Sequence, residues 1–408
     1  MSALPPAASV PVRRQAGQPA QRPRIPWWLS VSLIFVAARA VSTVLILILA
    51  SVQGRNPWTL ASPGYFDFAT IWDGRWYNIV QVAGYPSQLP LTATGQVGEN
   101  AWAFLPGYPG VVSAVMFVTG LPWPVASVVV SFGFGLAAAL LFYRLMRLRL
   151  GASTALFAVV LFCVAPVSPL FQLSYAESMY LALLTLALYL LLRRRYWWLV
   201  PVVIVMGFTR PSGLAFALAL GLHVVYRWWV RARDPFPMRE RAASVVVTGV
   251  AVLAGIAWPA IAGVVTGEPM AYFDTELAWR SVYIGYQDLI PFTAWFQGGN
   301  WWLGFPLGAI VVTALILAFS LTLFLPAVRR LGVDLRLWLA SYALYVLAVF
   351  FPQSSTFRIL MPMFPLAGAA AVPESRIYRV LLVLACIAGQ WGWLLICWGV
   401  DGQDWTPP

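Results

Sequence analysis

The chain reads as an all-helical protein that crosses the membrane many times. Three observations carry this. Of its 408 residues 61% are hydrophobic and only 10% charged, whereas soluble domains carry about a quarter charged residues. Long apolar runs recur along the chain, and a soluble core could not hide them, so lipid must solvate much of the surface. Short arginine clusters separate the runs; all 26 basic residues are arginine. The 21 tryptophans and 16 tyrosines suit rings that sit at headgroup level.

The net charge of +12 does not point to nucleic acid. No folded soluble module is present to carry a basic stripe, and clusters between apolar runs instead set topology and meet anionic lipid. Cys163, Cys386 and Cys397 lie in apolar segments without metal-ligand spacing and read as small hydrophobes. His223, the single histidine, reads as a packing or interfacial residue, since one histidine cannot make a multi-histidine metal site.

Residues 1–26 are rich in Pro, Ala, Gln and Arg and read as a disordered cytoplasmic tail. No small-residue cleavage site follows the first apolar run, so that span is expected to be retained. Arg13, Arg14, Arg22 and Arg24 orient it outward over 27–50 by the positive-inside rule. A single transmembrane domain is expected over 27–400, starting with a long outer loop at 51–103 that carries short juxtamembrane helices. The segment 104–120 opens on Pro106, Gly107, Pro109 and Gly110 and is expected to be re-entrant or interfacial. Counting requires this, because span 123–143 must end inside at Arg144, Arg147 and Arg149. Spans then alternate at 153–172, 178–192, 197–209, 212–228, 243–265, 303–325, 337–351, 359–372 and 380–400. A large outer loop falls at 266–301 and an outer tail at 401–408. About eleven full spans result, each basic cluster landing inside, with no repeat suggesting two related transporter halves.

This topology puts Asp67, Asp73, Glu99, Glu177, Asp274, Glu276 and Asp288 on the outer side, with Arg210 and Arg358 as single arginines at outer span ends. Ionisable residues at such depths are costly and usually functional. The first loop reads Phe66-Asp67-Phe68-Ala69-Thr70-Ile71-Trp72-Asp73-Gly74-Arg75-Trp76-Tyr77. An acid between tryptophans suits sugar chemistry: aromatic faces stack on sugar rings, and a carboxylate in a partly dry pocket can act as a base. Asp73 reads equally as the N-cap of a helix beginning at Gly74. Glu177 opens a span, where an acid also favours the helix's positive end. Arg210 and Arg358 either snorkel to the interface or face a pocket and pair bidentately with a phosphate. Asp274 and Glu276 read as a solvated face.

Trp72-Asp73-x3-Tyr77, Gly84-Tyr85 and Ala103-Phe104-x-Pro106-Gly107-x-Pro109 resemble the signature of the PIG-V-like mannosyltransferases. These are the second mannosyltransferases of GPI-anchor assembly and their bacterial relatives. The resemblance continues in order through Ser168-Pro169, Tyr175-x-Glu177 and Arg210-x-x-Gly213. It covers roughly 66–225, with Phe357-Arg358 and Pro362 as late echoes. Trp76 departs from a basic or polar residue common in the first motif, and Ser212 from an asparagine in the arginine motif.

The resemblance implies a GT-C-type bundle with Asp73 and Glu177 at its two acidic motifs. The implied reaction moves mannose from a polyprenyl-phosphate donor to a hydroxyl of a glycolipid or lipoglycan, with inversion, on the non-cytoplasmic face of a membrane, the bacterial plasma membrane being the expected one. Asp73 would be the base, since a departing phosphate needs no general acid. Arg210 and Arg358 would take the phosphate, and Glu177 would orient the acceptor or Arg210. Asp67, Trp72, Arg75, Trp76, Tyr77, Tyr85 and Tyr175 would contact sugar or acceptor. No metal ligands are assigned; outer acids could take a divalent cation through oxygen, though no tight Asp-x-Asp pair occurs. A transporter or flippase of a lipid-linked sugar, or a different donor sugar, is the alternative.

Overall fold

A computed structural model describes residues 25–288 and 290–399. The expectations for Arg13, Arg14, Arg22, Arg24 and the 401–408 tail fall outside these residues, as does nearly all of the expected N-terminal tail. Among the described residues the chain is helical, with one isolated bridge between Leu91 and Val97.

The first helix, α1, is Trp27–Val52. Short α2 (Tyr65–Ala69) and α3 (Asp73–Ala83) follow in the first loop, then α4 (Gly107–Thr119), α5 (Trp123–Met146) and α6 (Ala152–Val164). Next come α7 (Glu177–Leu192), α8 (Tyr196–Gly207), α9 (Gly213–Trp229) and α10 (Met238–Thr266). The second large loop holds α11 (Ala271–Ala278), α12 (Ser281–Ile284) and α13 (Ala294–Leu303). After them run α14 (Leu307–Thr322), α15 (Pro326–Arg329), α16 (Val333–Val349), α17 (Thr356–Ile359), α18 (Leu366–Ala370) and α19 (Arg376–Cys397).

Four helices, α1, α5, α10 and α19, are long and apolar enough to cross a bilayer. Their outward faces carry large apolar side chains such as Leu33 and Val44 on α1, Val245 and Leu253 on α10, and Val380 and Leu384 on α19. No described residue covers these stripes, and their apolar length suits lipid as their solvent. Inside, α5 packs along α7, α10 lies against α8 and α9, and α16 closes on α9. Phe35, Phe142, Phe162, Phe171 and Phe364 interleave in the core.

Two expected elements look different in three dimensions. The segment 359–372 is a run of short turns, α17, a 3-10 turn at Met361–Met363 and α18, rather than one span. Pro362 and Pro365 explain this, because each removes a helix donor and crowds the preceding turn. Helix α6 stops at Val164, and Pro166 and Pro169 convert the rest of the 153–172 segment to a 3-10 turn at Ser168–Gln172. Helix α4, at 13 residues, is only about 20 Å long, too short to cross about 30 Å of hydrocarbon.

The bundle has two chemically different ends. Helix α7 starts at Glu177 and ends at Leu192, against Arg193, Arg194 and Arg195. Its length of about 24 Å separates an acidic end from an arginine-rich one. The arginine-rich end also holds the Arg194–Asp234 and Arg227–Glu240 pairs. His223 is buried there between the Tyr196 hydroxyl (3.0 Å) and the Asp334 carboxylate (2.7 Å). In a cysteine-free background, single cysteines replacing exposed Ser62 and Arg195 are expected to react with a membrane-impermeant maleimide from opposite sides of sealed vesicles. Labelling of both from one side would contradict this end-to-end polarity.

Candidate active site

The acidic end is organised around Arg358. Its Nη1 donates to Asp73 Oδ2 at 2.5 Å and to Glu177 Oε1 at 3.0 Å. Arg210 Nη1 donates to the same Glu177 Oε1. Two carboxylates and two guanidiniums thus form one chain of charge, Asp73–Arg358–Glu177–Arg210. Glu177 and Arg358 are almost fully buried, and the Asp73 side chain is 16% exposed. Buried charges survive only when paired in this way. Among the described residues, Glu177 Oε2 and Arg358 Nε are buried without a hydrogen bond, so the chamber keeps polar capacity that its own side chains do not use.

Local backbone aims each group. Asp73 is the first residue of α3, its N-cap is Trp72, and no side chain caps the helix. The capping reading of Asp73 therefore fails: its carboxylate goes to Arg358. Trp72 itself holds a left-handed φ of 60°, costly for a bulky residue by about 1–3 kcal/mol. Its indole is buried and donates to the Cys397 carbonyl at 2.8 Å, while the Trp398 indole donates back to the Phe68 carbonyl at 2.9 Å. This reciprocal clasp between α19 and the first loop holds the turn that points Asp73 inward. Glu177 is likewise the first residue of α7 without capping it. The loop carrying Arg210 is pinned by Ser212, whose hydroxyl donates to Tyr180 Oη at 2.6 Å, by Tyr345 donating to the Pro211 carbonyl, and by Gly107, whose N–H donates to the Phe208 carbonyl at 2.8 Å. A Cβ on Gly107 would lie 2.7 Å from that carbonyl, so only glycine lets α4 approach so closely. Gly74 plays the same part beside Ser174, at 2.9 Å.

Helix α3 sorts the remaining candidates by face. At about 100° per residue, Asp73, Trp76, Tyr77 and Val80 fall on one side and Gly74, Arg75 and Asn78 on the other. The inner side meets the chamber. Tyr77 is buried against Phe104 and Tyr108. Trp76 stacks flat on Phe104 at 5.4 Å, with Trp279 edge-on. Tyr175 lies beneath the Arg358 guanidinium at 5.4 Å, and its hydroxyl accepts from the Asp73 N–H at 3.3 Å. The outer side lines a cleft of about 580 Å³ with Trp58, Asp67, Thr70 and Trp123. Arg75 and Asp67 belong to this cleft, Arg75 resting on the Trp58 ring at 4.8 Å. Tyr85 is elsewhere, stacked on Trp102 with its hydroxyl on the Phe104 carbonyl at 2.7 Å. Trp72 is packed in the clasp rather than facing the chamber.

Of the residues singled out in the sequence, the structure brings together Asp73, Glu177, Arg210, Arg358, Tyr77 and Tyr175. It adds one that sequence reasoning assigned to a solvated face. Glu276 of α11 is turned inward, beside Tyr272 and within electrostatic reach of Arg210, Arg358 and Asp73. Burial raises the Asp73 carboxyl above its ordinary range, outweighing the lowering pull of Arg358, and burial lifts that of Glu276 to about 7. Asp274, two residues earlier, is half-buried, as Glu276 is. Among the described residues no group of three or more His, Cys, Asp or Glu side chains is arranged to hold a metal ion.

No family model matches the chain, and no curated protein matches it. Among solved structures it is similar to ArnT from Cupriavidus metallidurans in the apo state, at 15% identity and a TM-score of 0.45, covering 87% of this chain and 63% of that one. It is also similar to the Archaeoglobus fulgidus oligosaccharyltransferase tethered with an acceptor peptide, at 14% identity and 0.43, covering 89% and 54%. The third is archaeal AglB from Archaeoglobus fulgidus in complex with an inhibitory peptide and a dolichol-phosphate, at 16% identity and 0.35, covering 91% and 50%. The chain thus spans about half to three fifths of the length of these structures. Likeness at this level assigns no activity.

Removing Arg358 leaves two carboxylates facing each other in a buried site. Arg358→Met is expected to destabilise the detergent-solubilised protein by about 3–5 kcal/mol, and adding Asp73→Asn to recover part of that loss in thermal unfolding. Glu276 holds its proton more tightly folded than unfolded. Its contribution is therefore complete below its ordinary range near 4.5 and is lost as pH rises through about 7. The melting temperature of the wild type is expected to fall over that window and that of Glu276→Gln to fall less; parallel curves would exclude the linkage.

Proposed function

We propose that this chain is a GT-C-type membrane glycosyltransferase. It moves mannose from a polyprenyl-phosphate donor to a hydroxyl of an envelope glycolipid or lipoglycan, with inversion, on the non-cytoplasmic face. The observation that carries the reading is the buried chain Asp73–Arg358–Glu177–Arg210. The resemblance of 66–225 to the PIG-V-like mannosyltransferases supports the sugar. Arginine clusters at the far end of α7 support the face, since such clusters stay cytoplasmic.

The arginines explain why donor comes before chemistry. While Arg358 is held against Asp73 at 2.5 Å, that carboxylate oxygen is occupied. A lipid phosphate brings charge that both guanidiniums bind better, bidentately. Arg358 then turns toward the phosphate, its Nε supplies a donor otherwise unused, and Asp73 is uncovered. Glu177 keeps Arg210 in place and offsets its charge. The acceptor oxygen attacks the anomeric carbon as the carbon–phosphate-oxygen bond breaks. The acceptor proton passes to Asp73, and the bonding pair leaves on the polyprenyl phosphate, stabilised by Arg210 and Arg358. Burial already raises the Asp73 carboxyl with Arg358 in place, and release of Arg358 removes a lowering influence, which suits a general base. Trp76 borders the sugar site, and Tyr77 and Tyr175 are buried behind it. Asp67 and Arg75, across α3, contact distal parts of the acceptor in their cleft.

Proteoliposomes given labelled polyprenyl-phosphate-mannose are expected to form a mannosylated lipid. Asp73→Asn, stably inserted, should lower kcat by about 10²–10⁴, whereas full activity would remove the assigned base. Counterflow of the lipid-linked sugar without any glycosidic product would instead establish a transporter.

A further inference from the structure

The chamber has three carboxylates and two arginines, and the arginines are not shared evenly. Asp73 is held by Arg358, and Glu177 by both Arg358 and Arg210. Glu276 makes no ion pair among the described residues; the Tyr272 side chain, one helical turn earlier, lies beside it. Its position is nevertheless firmly built. Helix α11 is fastened to the first loop by Asn100, whose Nδ2 donates to Thr275 Oγ1 at 2.8 Å. Tyr272 is buried with Trp102 and Trp258. Trp279 presents its ring edge-on to Trp76 at 5.5 Å and Phe104 at 5.8 Å. Two elements of the first loop, α3 and the Ala101–Ala103 turn, therefore hold α11 so that Glu276 looks across at Arg210, Arg358, Asp73 and Tyr345.

In its ionised form, favoured as pH rises above about 7, a carboxylate fixed this way repels a phosphate but accepts strongly from a neutral hydroxyl, because charge-assisted hydrogen bonds are roughly twice as strong as neutral ones. The chamber then has two chemically distinct walls, guanidinium on one side and a carboxylate outside any described ion pair on the other. Resting on the glycosyltransferase reading above, we propose that Glu276 is the acceptor-binding carboxylate, taking a hydrogen bond from a sugar hydroxyl adjacent to the one Asp73 deprotonates. The acceptor class is thereby a neutral saccharide with neighbouring free hydroxyls at its reactive end, and Trp76 and Trp279 supply the aromatic surface for its ring.

Two measurements on the full chain separate this proposal from the reading it rests on. Methyl α-mannobioside titrated calorimetrically into nanodisc-embedded protein is expected to bind at least tenfold more weakly to Glu276→Gln than to the wild type, with Glu276→Asp between. In transfer assays with polyprenyl-phosphate-mannose, Glu276→Gln should raise the KM for the mannobioside at least tenfold and leave the donor KM within twofold. Equal binding by wild type and Glu276→Gln, no binding by the wild type, or a rise in donor KM alone would overturn the acceptor role. Saccharide binding that weakens as expected in Glu276→Gln, without any transfer by the wild type, would uphold the binding site and overturn the transferase reading.

Discussion

Arg358 joins Asp73 and Glu177 in a buried place where an unpaired charge is costly. Taking three charges from water costs several kcal/mol per ion, recovered only when each faces an opposite charge at contact distance. The pairing dictates the rest of the site. Asp73 must be delivered at a helix start, so the preceding Trp72 accepts a left-handed backbone. Glu177 must also open a helix, so α6 ends early at Val164 and a 3-10 turn leads in. Arg358 must arrive from a short helical piece rather than a continuous span, and the prolines after it break the helix. Each irregularity in an otherwise regular bundle serves delivery of one charge.

Much of this was legible in the sequence, and the reasons differ residue by residue. Apolar length and arginine spacing locate the helices because the bilayer imposes both. Asp73, Glu177, Arg210 and Arg358 stand out because charge near a membrane is expensive, and the four do meet. Their pairing is not legible: positions 73 and 358 are 285 residues apart, and no local pattern encodes so distant a contact. The two sides of α3 could have been separated beforehand, since a period of 3.6 residues divides Asp73, Trp76 and Tyr77 from Arg75. Glu276 was missed because an acid beside Asp274 in a loop resembles any solvated surface. The available signal was the aromatic company on its own helix, Tyr272 four residues before and Trp279 three after, which marks that face as buried.

Trp72 shows the limit of reading motifs by residue type. A tryptophan beside an acid in an outer loop suits a sugar platform. Here its ring is in the core and its indole N–H is committed to a backbone carbonyl. It acts on Asp73 through geometry, whereas Trp76, four positions on, keeps a partly exposed ring on the chamber side of the same helix.

The clasp between Trp72 and Trp398 has a consequence for biogenesis. The Trp72 indole reaches a carbonyl 325 residues further along the chain, and the returning bond from Trp398 spans 330. At a synthesis rate of about 5–20 residues per second, the first loop waits on the order of tens of seconds for these partners. During that interval the ribosome is still extending the chain, Arg358 has not been made for most of the wait, and Asp73 has no counter-charge. A nascent chain therefore has no assembled chamber, and the chamber is complete only when α19 inserts and closes on the first loop.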